Sequence, residues 1–124
     1  MNVEAPRIPG TDEHGWWILF HIVESDPPTI DDFLSNDAKG RTPRRPLTPE
    51  EQELWRGVSA YESWALARRK AGISPWLGGY VAELRIPPGS PIRIRRTTSS
   101  RGHWTLWGSP EELLACVVSV TPLH

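Results

Sequence analysis

A single cysteine, Cys116, is all the thiol chemistry this chain has. No intrachain disulfide can form, and that usage fits a reducing compartment. The four histidines (14, 21, 103 and 124) have no paired spacing. Without a second cysteine this excludes the zinc signatures, and no metal is expected. There is no GxGxxG and no Walker loop. The Gly78-Gly79 pair lacks the lysine and following Ser or Thr of that phosphate cradle. The longest apolar run, Trp16 to Val23, is far short of the roughly 20 residues a membrane-spanning helix needs. The start, MNVEAPRIPGTDEHG, has no basic stretch leading into an apolar one, so it does not read as a secretory signal. Repeats and low-complexity tracts are missing as well. The expectation is a cytoplasmic protein that does not engage a membrane.

What is present suits one small domain. With 124 residues there is room for one core and not comfortably for two. Hydrophobic residues make up 38% and charged residues 23%, which places the chain among globular rather than disordered sequences. Thirteen prolines and ten glycines imply short elements joined by turns. Seven tryptophans allow a small core to be filled by few side chains, with indole N–H groups that need partners when buried. Charge is uneven. Residues 1–40 carry two basic and eight acidic side chains, net −6, and residues 41–124 carry twelve and seven, net +5. The second part can therefore present a positive surface to an anion. Near-neutrality overall argues against a general nucleic-acid coat.

Along the chain, residues 1–15 read as a flexible N-terminal segment and residues 16–124 as a single α+β domain. WWILFHIV (16–23) reads as a buried central strand, ended by Asp26-Pro27-Pro28. Thr29 can cap a short helix over 30–36. Thr48-Pro49-Glu50-Glu51 opens another, to about Trp55. A short strand at 58–60 precedes a helix over 62–71, with Gly72 as its stop. Strands are predicted at 80–86, 92–95 and 103–107. Ser109-Pro110-Glu111-Glu112 starts a very short helix, and ACVVSV (115–120) reads as a buried strand. Hairpin-length connections favour a mainly antiparallel sheet with three or four short helices.

Several residues have both a chemical and a structural reading. His21 interrupts an apolar strand, and either bonds within the core or faces a cleft. Ser59 and Tyr61 share a face of an extended segment. Ser59 also begins a capping box with Glu62. The Tyr61 ring could stack on a base or pack as a half-buried core aromatic. Glu112 is either the capping-box acid of Ser109 or a carboxylate projecting into a cleft, with Glu111 as its rival. Cys116 reads as inert packing. Arg93 and Arg95 point the same way and could grip a pyrophosphate, or form a solvated strand face. With Arg96 they stand near Trp104 and Trp107, which could stack on bases.

The order of these pieces resembles the ADP-ribosyltransferase superfamily. The strand Leu19-Phe20-His21-Ile22-Val23, the segment Gly57-Val58-Ser59-Ala60-Tyr61, the strand and turn Tyr80 to Ser90, and Glu111-Glu112-Leu113-Leu114 stand in matching succession. The resemblance spans about residues 17–121 and implies a small split, mainly antiparallel sheet gripping NAD+. It implies that His21 contacts ribose hydroxyls and that Tyr61 stacks on nicotinamide beside Ser59. Glu112 would stabilise the cation formed as nicotinamide leaves. The implied function is NAD+-dependent ADP-ribosyl transfer to a protein or nucleic acid, or NAD+ hydrolysis. The pattern departs from the family in lacking a Ser-Thr-Ser run and a final Glu-x-Glu or Gln-x-Glu. The alternative is a non-catalytic module that binds a nucleotide, RNA or a protein through the Arg/Trp surface. An enzyme needs His21, Tyr61 and Glu112 in one cavity, and the module does not.

Overall fold

Strand β1 (Trp17–Val23) lies inside a six-stranded sheet, flanked by β2 (Val58–Tyr61) and β3 (Tyr80–Ile86). The computed structural model describes residues 8–97 and 101–124. The remaining strands are β4 (Arg93–Arg96), β5 (His103–Trp107) and β6 (Val117–Pro122). Their order is β4-β5-β2-β1-β3-β6, and every neighbouring pair is antiparallel. Three α-helices complete the α+β fold: α1 (Pro49–Trp55), α2 (Trp64–Ile73) and α3 (Pro110–Ala115). Two 3-10 turns, Ile30–Phe33 and Pro75–Leu77, fill the connections. Among the described residues, no helix is long and apolar enough to cross a membrane.

The sheet is continuous in order but split in pairing. β1 registers against β3 along its whole length, from Trp17 opposite Ile86 to Val23 opposite Tyr80. Against β2 it registers only at Phe20 opposite Tyr61. The two halves, β4-β5-β2 and β1-β3-β6, therefore part beyond that pair.

Strand alternation sends neighbouring side chains to opposite faces, and register partners share a face. One face carries Leu19, Val23, Ala60, Leu84, Ile86, Trp104 and Leu106. Phe33 of the first 3-10 turn and Leu113 of α3 cover it, both almost fully buried. The other face carries Ile22, Tyr61 and Val81, covered by Ala67 and Ala71 of α2.

The caps explain where the helices begin. The Thr48 Oγ1 accepts from the Glu51 N–H at 3.2 Å, and Glu51 reaches back to the Thr48 N–H. Ser109 and Glu112 form the same reciprocal pair. Such caps satisfy amide groups the helix leaves open.

Some predicted boundaries are corrected. The 30–36 helix is only the four-residue 3-10 turn. α2 begins after Ser63, whose Oγ accepts from the Leu66 N–H at 3.1 Å, so Ser59 is a strand residue and not a cap. α2 also runs through Gly72 to Ile73. A helical glycine costs about 1 kcal/mol, and burial of Ala67 and Ala71 against the sheet offsets it. The 115–120 segment is not a buried strand. β6 lies at the sheet edge with Val118 exposed, and Cys116 is the half-buried C-cap of α3. Of the N-terminal segment, residues 1–7 lie outside the described residues. Residues 8–16 fold back as a tight turn, with the Ile18 N–H donating to the Gly10 carbonyl at 2.7 Å and Thr11 bridged to Trp17.

Candidate functional site

α2 presents two stripes at helical spacing. Ala67 and Ala71 face the sheet, while Leu66, Arg69, Lys70 and Ile73 line a cavity of about 600 Å³. Tyr61, Glu62, Ser63 and Arg101 complete its wall. Arg101 reaches it because Gly102 has φ +70°, and a Cβ there would stand 2.3 Å from Leu66 Cδ1. Glycine suits both the positive φ and the close approach of this turn to α2. The Gly102 carbonyl accepts from the Glu62 N–H at 3.0 Å, which fixes the corner.

The electrostatics of this cavity are one-sided. Among the described residues, Arg69, Lys70 and Arg101 form no salt bridge. Glu62, the one carboxylate in the wall, accepts from the Trp104 Nε1–H at 3.1 Å and lies 3.7 Å from an Arg96 nitrogen. Arg96 answers part of its charge, and Arg69, Lys70 and Arg101 outnumber it in the wall. Tyr61 forms the apolar floor with Leu66, and burial raises the pKa of its hydroxyl. Its ring meets His103 edge-on, with centroids 5.3 Å apart. Such a cavity suits a ligand with an anionic part and a flat apolar part.

The expected convergence of His21, Tyr61 and Glu112 is corrected by topology. His21 opposes Ala82 and lies on the Phe33 face, with its ring centre 5.0 Å from that of Phe33. Tyr61 lies on the α2 face. The sheet itself separates them. Glu112 caps α3, its Oε1 accepting from the Ser109 N–H at 3.0 Å. None of the three shares a described cavity with another.

His21 and Ser59 do meet, where β1 and β2 part. They line a polar cavity of about 140 Å³ with Asp32, Lys39 and Arg41. His21 Nδ1 lies 2.7 Å from the Ser59 carbonyl and Nε2 lies 2.6 Å from the Asp32 carbonyl. Both ring nitrogens thus face backbone carbonyls; the neutral ring has one N–H and donates to one of the two, and neither nitrogen is open to a ribose. Burial pushes the His21 pKa below its ordinary value and outweighs the two carbonyls, which favour the charged form. Asp32 is the anchor of this corner. Burial alone would raise its pKa, but hydrogen bonds from the Ser25 hydroxyl and the Thr29 and Glu24 amides hold it lower.

Arg93 and Arg95 share a face as expected, but Glu53 of α1 occupies them. Arg93 forms an ion pair with it, and Arg95 stands 4.0 Å away. The Arg93 guanidinium also lies 4.1 Å from the Trp107 ring centre, and Trp107 Nε1–H donates to the Glu53 carbonyl at 3.0 Å. Trp104 is buried, edge-on to Trp17 at 4.9 Å, with Arg96 over its ring at 5.7 Å. These indoles are therefore covered by the protein's own side chains and are not open stacking platforms. Among the described residues, no group of three His, Cys, Asp or Glu could hold a metal ion.

Two of these histidines are expected to set an acid limit on stability. Burial also lowers the His103 pKa, with Lys70 pushing the same way. Their ordinary value is 6.5. Below it the unfolded chain binds protons that the folded chain refuses, so stability falls as pH falls. The lowered carboxylates act around and below their ordinary values, 3.8 for Asp32 and 4.5 for Glu51 and Glu53. The urea midpoint should therefore drop between pH 7.5 and 5.5, and drop less in His103→Phe. An equal midpoint at both pH values would contradict this.

The chain has no matching family model, and no curated protein or solved structure matches it.

Proposed function

We infer that this domain binds a nucleotide in the cavity between α2 and β2, with NAD+ as the first candidate. One observation carries the reading: Arg69, Lys70 and Arg101 converge without carboxylate partners beside the floor formed by Tyr61. Cations from two elements suit a pyrophosphate, and Tyr61, only 8% exposed, gives a base or nicotinamide an apolar contact rather than an open stacking face. This is the binding-module alternative, moved from the Arg/Trp strand face to the α2 cavity.

A second reading, ADP-ribosyl transfer or NAD+ hydrolysis on an ADP-ribosyltransferase-like fold, is favoured by the parting of the antiparallel sheet between β1 and β2. In that reading Glu112 is not the working carboxylate, because it caps α3. Glu62 takes its place, next to Tyr61 and held in orientation by Trp104. A carboxylate there would stabilise positive charge developing on a ribose carbon.

Calorimetric titration of the parent with NAD+, ADP and inorganic phosphate tests the first reading. Saturable binding of NAD+ or ADP, tighter than phosphate, is expected. No heat with any nucleotide at millimolar concentration would reject it. Nicotinamide release separates the second reading. Turnover lost in Glu62→Gln but kept in Glu112→Gln supports transfer, and binding without turnover leaves a binding module.

A further inference from the structure

α1 is built unlike the other helices. α2 buries Ala67 and Ala71, and α3 buries Leu113, but α1 buries none of its residues. Yet α1 carries Leu54 and Trp55, and Leu47 precedes it. A short helix gains most of its stability from packing an apolar face. Here that face is only half-buried, and it lines a groove.

The groove has two connected parts. One, about 480 Å³, is lined by Arg44, Arg45, Leu47, Leu54 and Trp55. The other, about 270 Å³, shares Pro43, Leu47 and Trp55 with it and adds Arg41 and Arg56. Its floor is held in place rather than loose. The Trp55 Nε1–H donates to the Arg41 carbonyl at 3.4 Å, and the Trp55 carbonyl accepts from the Asp37 N–H at 3.1 Å.

The rim is basic. Arg41, Arg44, Arg45 and Arg56 face Asp37 and Glu51, four cations against two acids. Glu51 is taken up by Arg45, which holds its carboxyl at about 2. Arg44 and Arg56 are exposed, and among the described residues neither forms a salt bridge. An apolar floor with an unbalanced basic rim selects an occupant of complementary chemistry. Nucleic acid would match the rim but leave Leu47 and Leu54 without partners.

We propose that the groove between α1 and the proline-rich loop at 43–47 docks an acidic peptide segment of a partner protein, with one bulky apolar residue seated between Leu54 and Trp55. This surface is separate from the nucleotide cavity and does not depend on it.

Selection of a displayed random heptapeptide library on the full chain tests this. Enriched peptides should carry one Leu, Phe or Trp flanked by Asp or Glu. A synthetic peptide of the enriched sequence should lose about tenfold or more in affinity with Leu54→Asp and with Arg44→Glu. Both variants should keep the parent fold, with amide shifts confined to the groove, since Arg44 is exposed and no α1 residue is fully buried, and should keep the parent's response to nucleotide. No enrichment, or enrichment without acidic residues, would overturn the proposal. So would a peptide indifferent to both variants. Polyuridylate that competes with the peptide and is weakened by Arg44→Glu but not by Leu54→Asp would show a phosphate surface instead, and would also overturn it.

Discussion

Alanine at Phe33 is expected to lower the free energy of unfolding by about 3–5 kcal/mol, the range for deleting a fully buried aromatic ring. Phe33 is 1% exposed and, among the described residues, is the largest fully buried side chain. It closes one face of the sheet with Leu113, and His21 lies against it. The surroundings cannot collapse easily into the space. Asp32, its neighbour, is tied to the Glu24 and Thr29 amides and the Ser25 hydroxyl, so the turn is held at its position. A cavity that cannot relax lies at the costly end of the range. Urea unfolding of Phe33→Ala beside Phe33→Leu checks this. Phe33→Leu should recover more than half of the loss. A loss under about 1 kcal/mol for alanine would mean that the turn does not pack as described.

Reversing Arg69 and Lys70 to glutamate is expected to weaken nucleotide binding by about 100-fold or more. A hydrogen bond to a charged group contributes roughly 1.5–3 kcal/mol, and two lost together exceed about 3 kcal/mol. The new carboxylates would add repulsion. Neither residue belongs to the buried core, and neither is in a salt bridge among the described residues. Folding stability should therefore stay near that of the parent. Parent affinity should also fall as salt is raised, because cations facing an open cavity are screened. Unchanged affinity in the folded double variant would remove the cavity from consideration.

Local signals carried much of the fold. WWILFHIV was legible as an interior strand because eight residues without a charge have no wet face to offer. The two Pro-Glu-Glu helix starts were legible because each cap is a contiguous pattern. β6 misled for the same reason that β1 did not. ACVVSV is as apolar as an interior strand, but whether such a strand is covered depends on its neighbour, and β6 has one only on its β3 side. Ser59-Ala-Tyr-Glu62 matched a capping box, yet pairing of Ser59 with Thr105 kept that segment extended and moved the cap to Ser63.

The candidate site was less legible. Ser59 and Tyr61 do share a face, and Arg93 and Arg95 do as well. Which side of the sheet His21 and Tyr61 occupy relative to each other depends on the β1–β2 register, a non-local quantity that periodicity does not encode. Arg69 and Lys70 read as helix-end cations. The signal that marks them as cavity walls is the stripe Leu66, Arg69, Lys70, Ile73, which runs beside the buried Ala67 and Ala71. Arg101 joins them where the turn at Gly102 stands against Leu66 of α2, a contact between residues distant in sequence.

The most direct test of the nucleotide site is a two-dimensional amide spectrum of the parent titrated with ADP. The account predicts saturable shifts concentrated at Tyr61, Glu62, Leu66, Arg69, Lys70 and Arg101, with His21 and Glu112 unmoved. Shifts centred on His21 and Ser59, or no shifts at millimolar ADP, would contradict it.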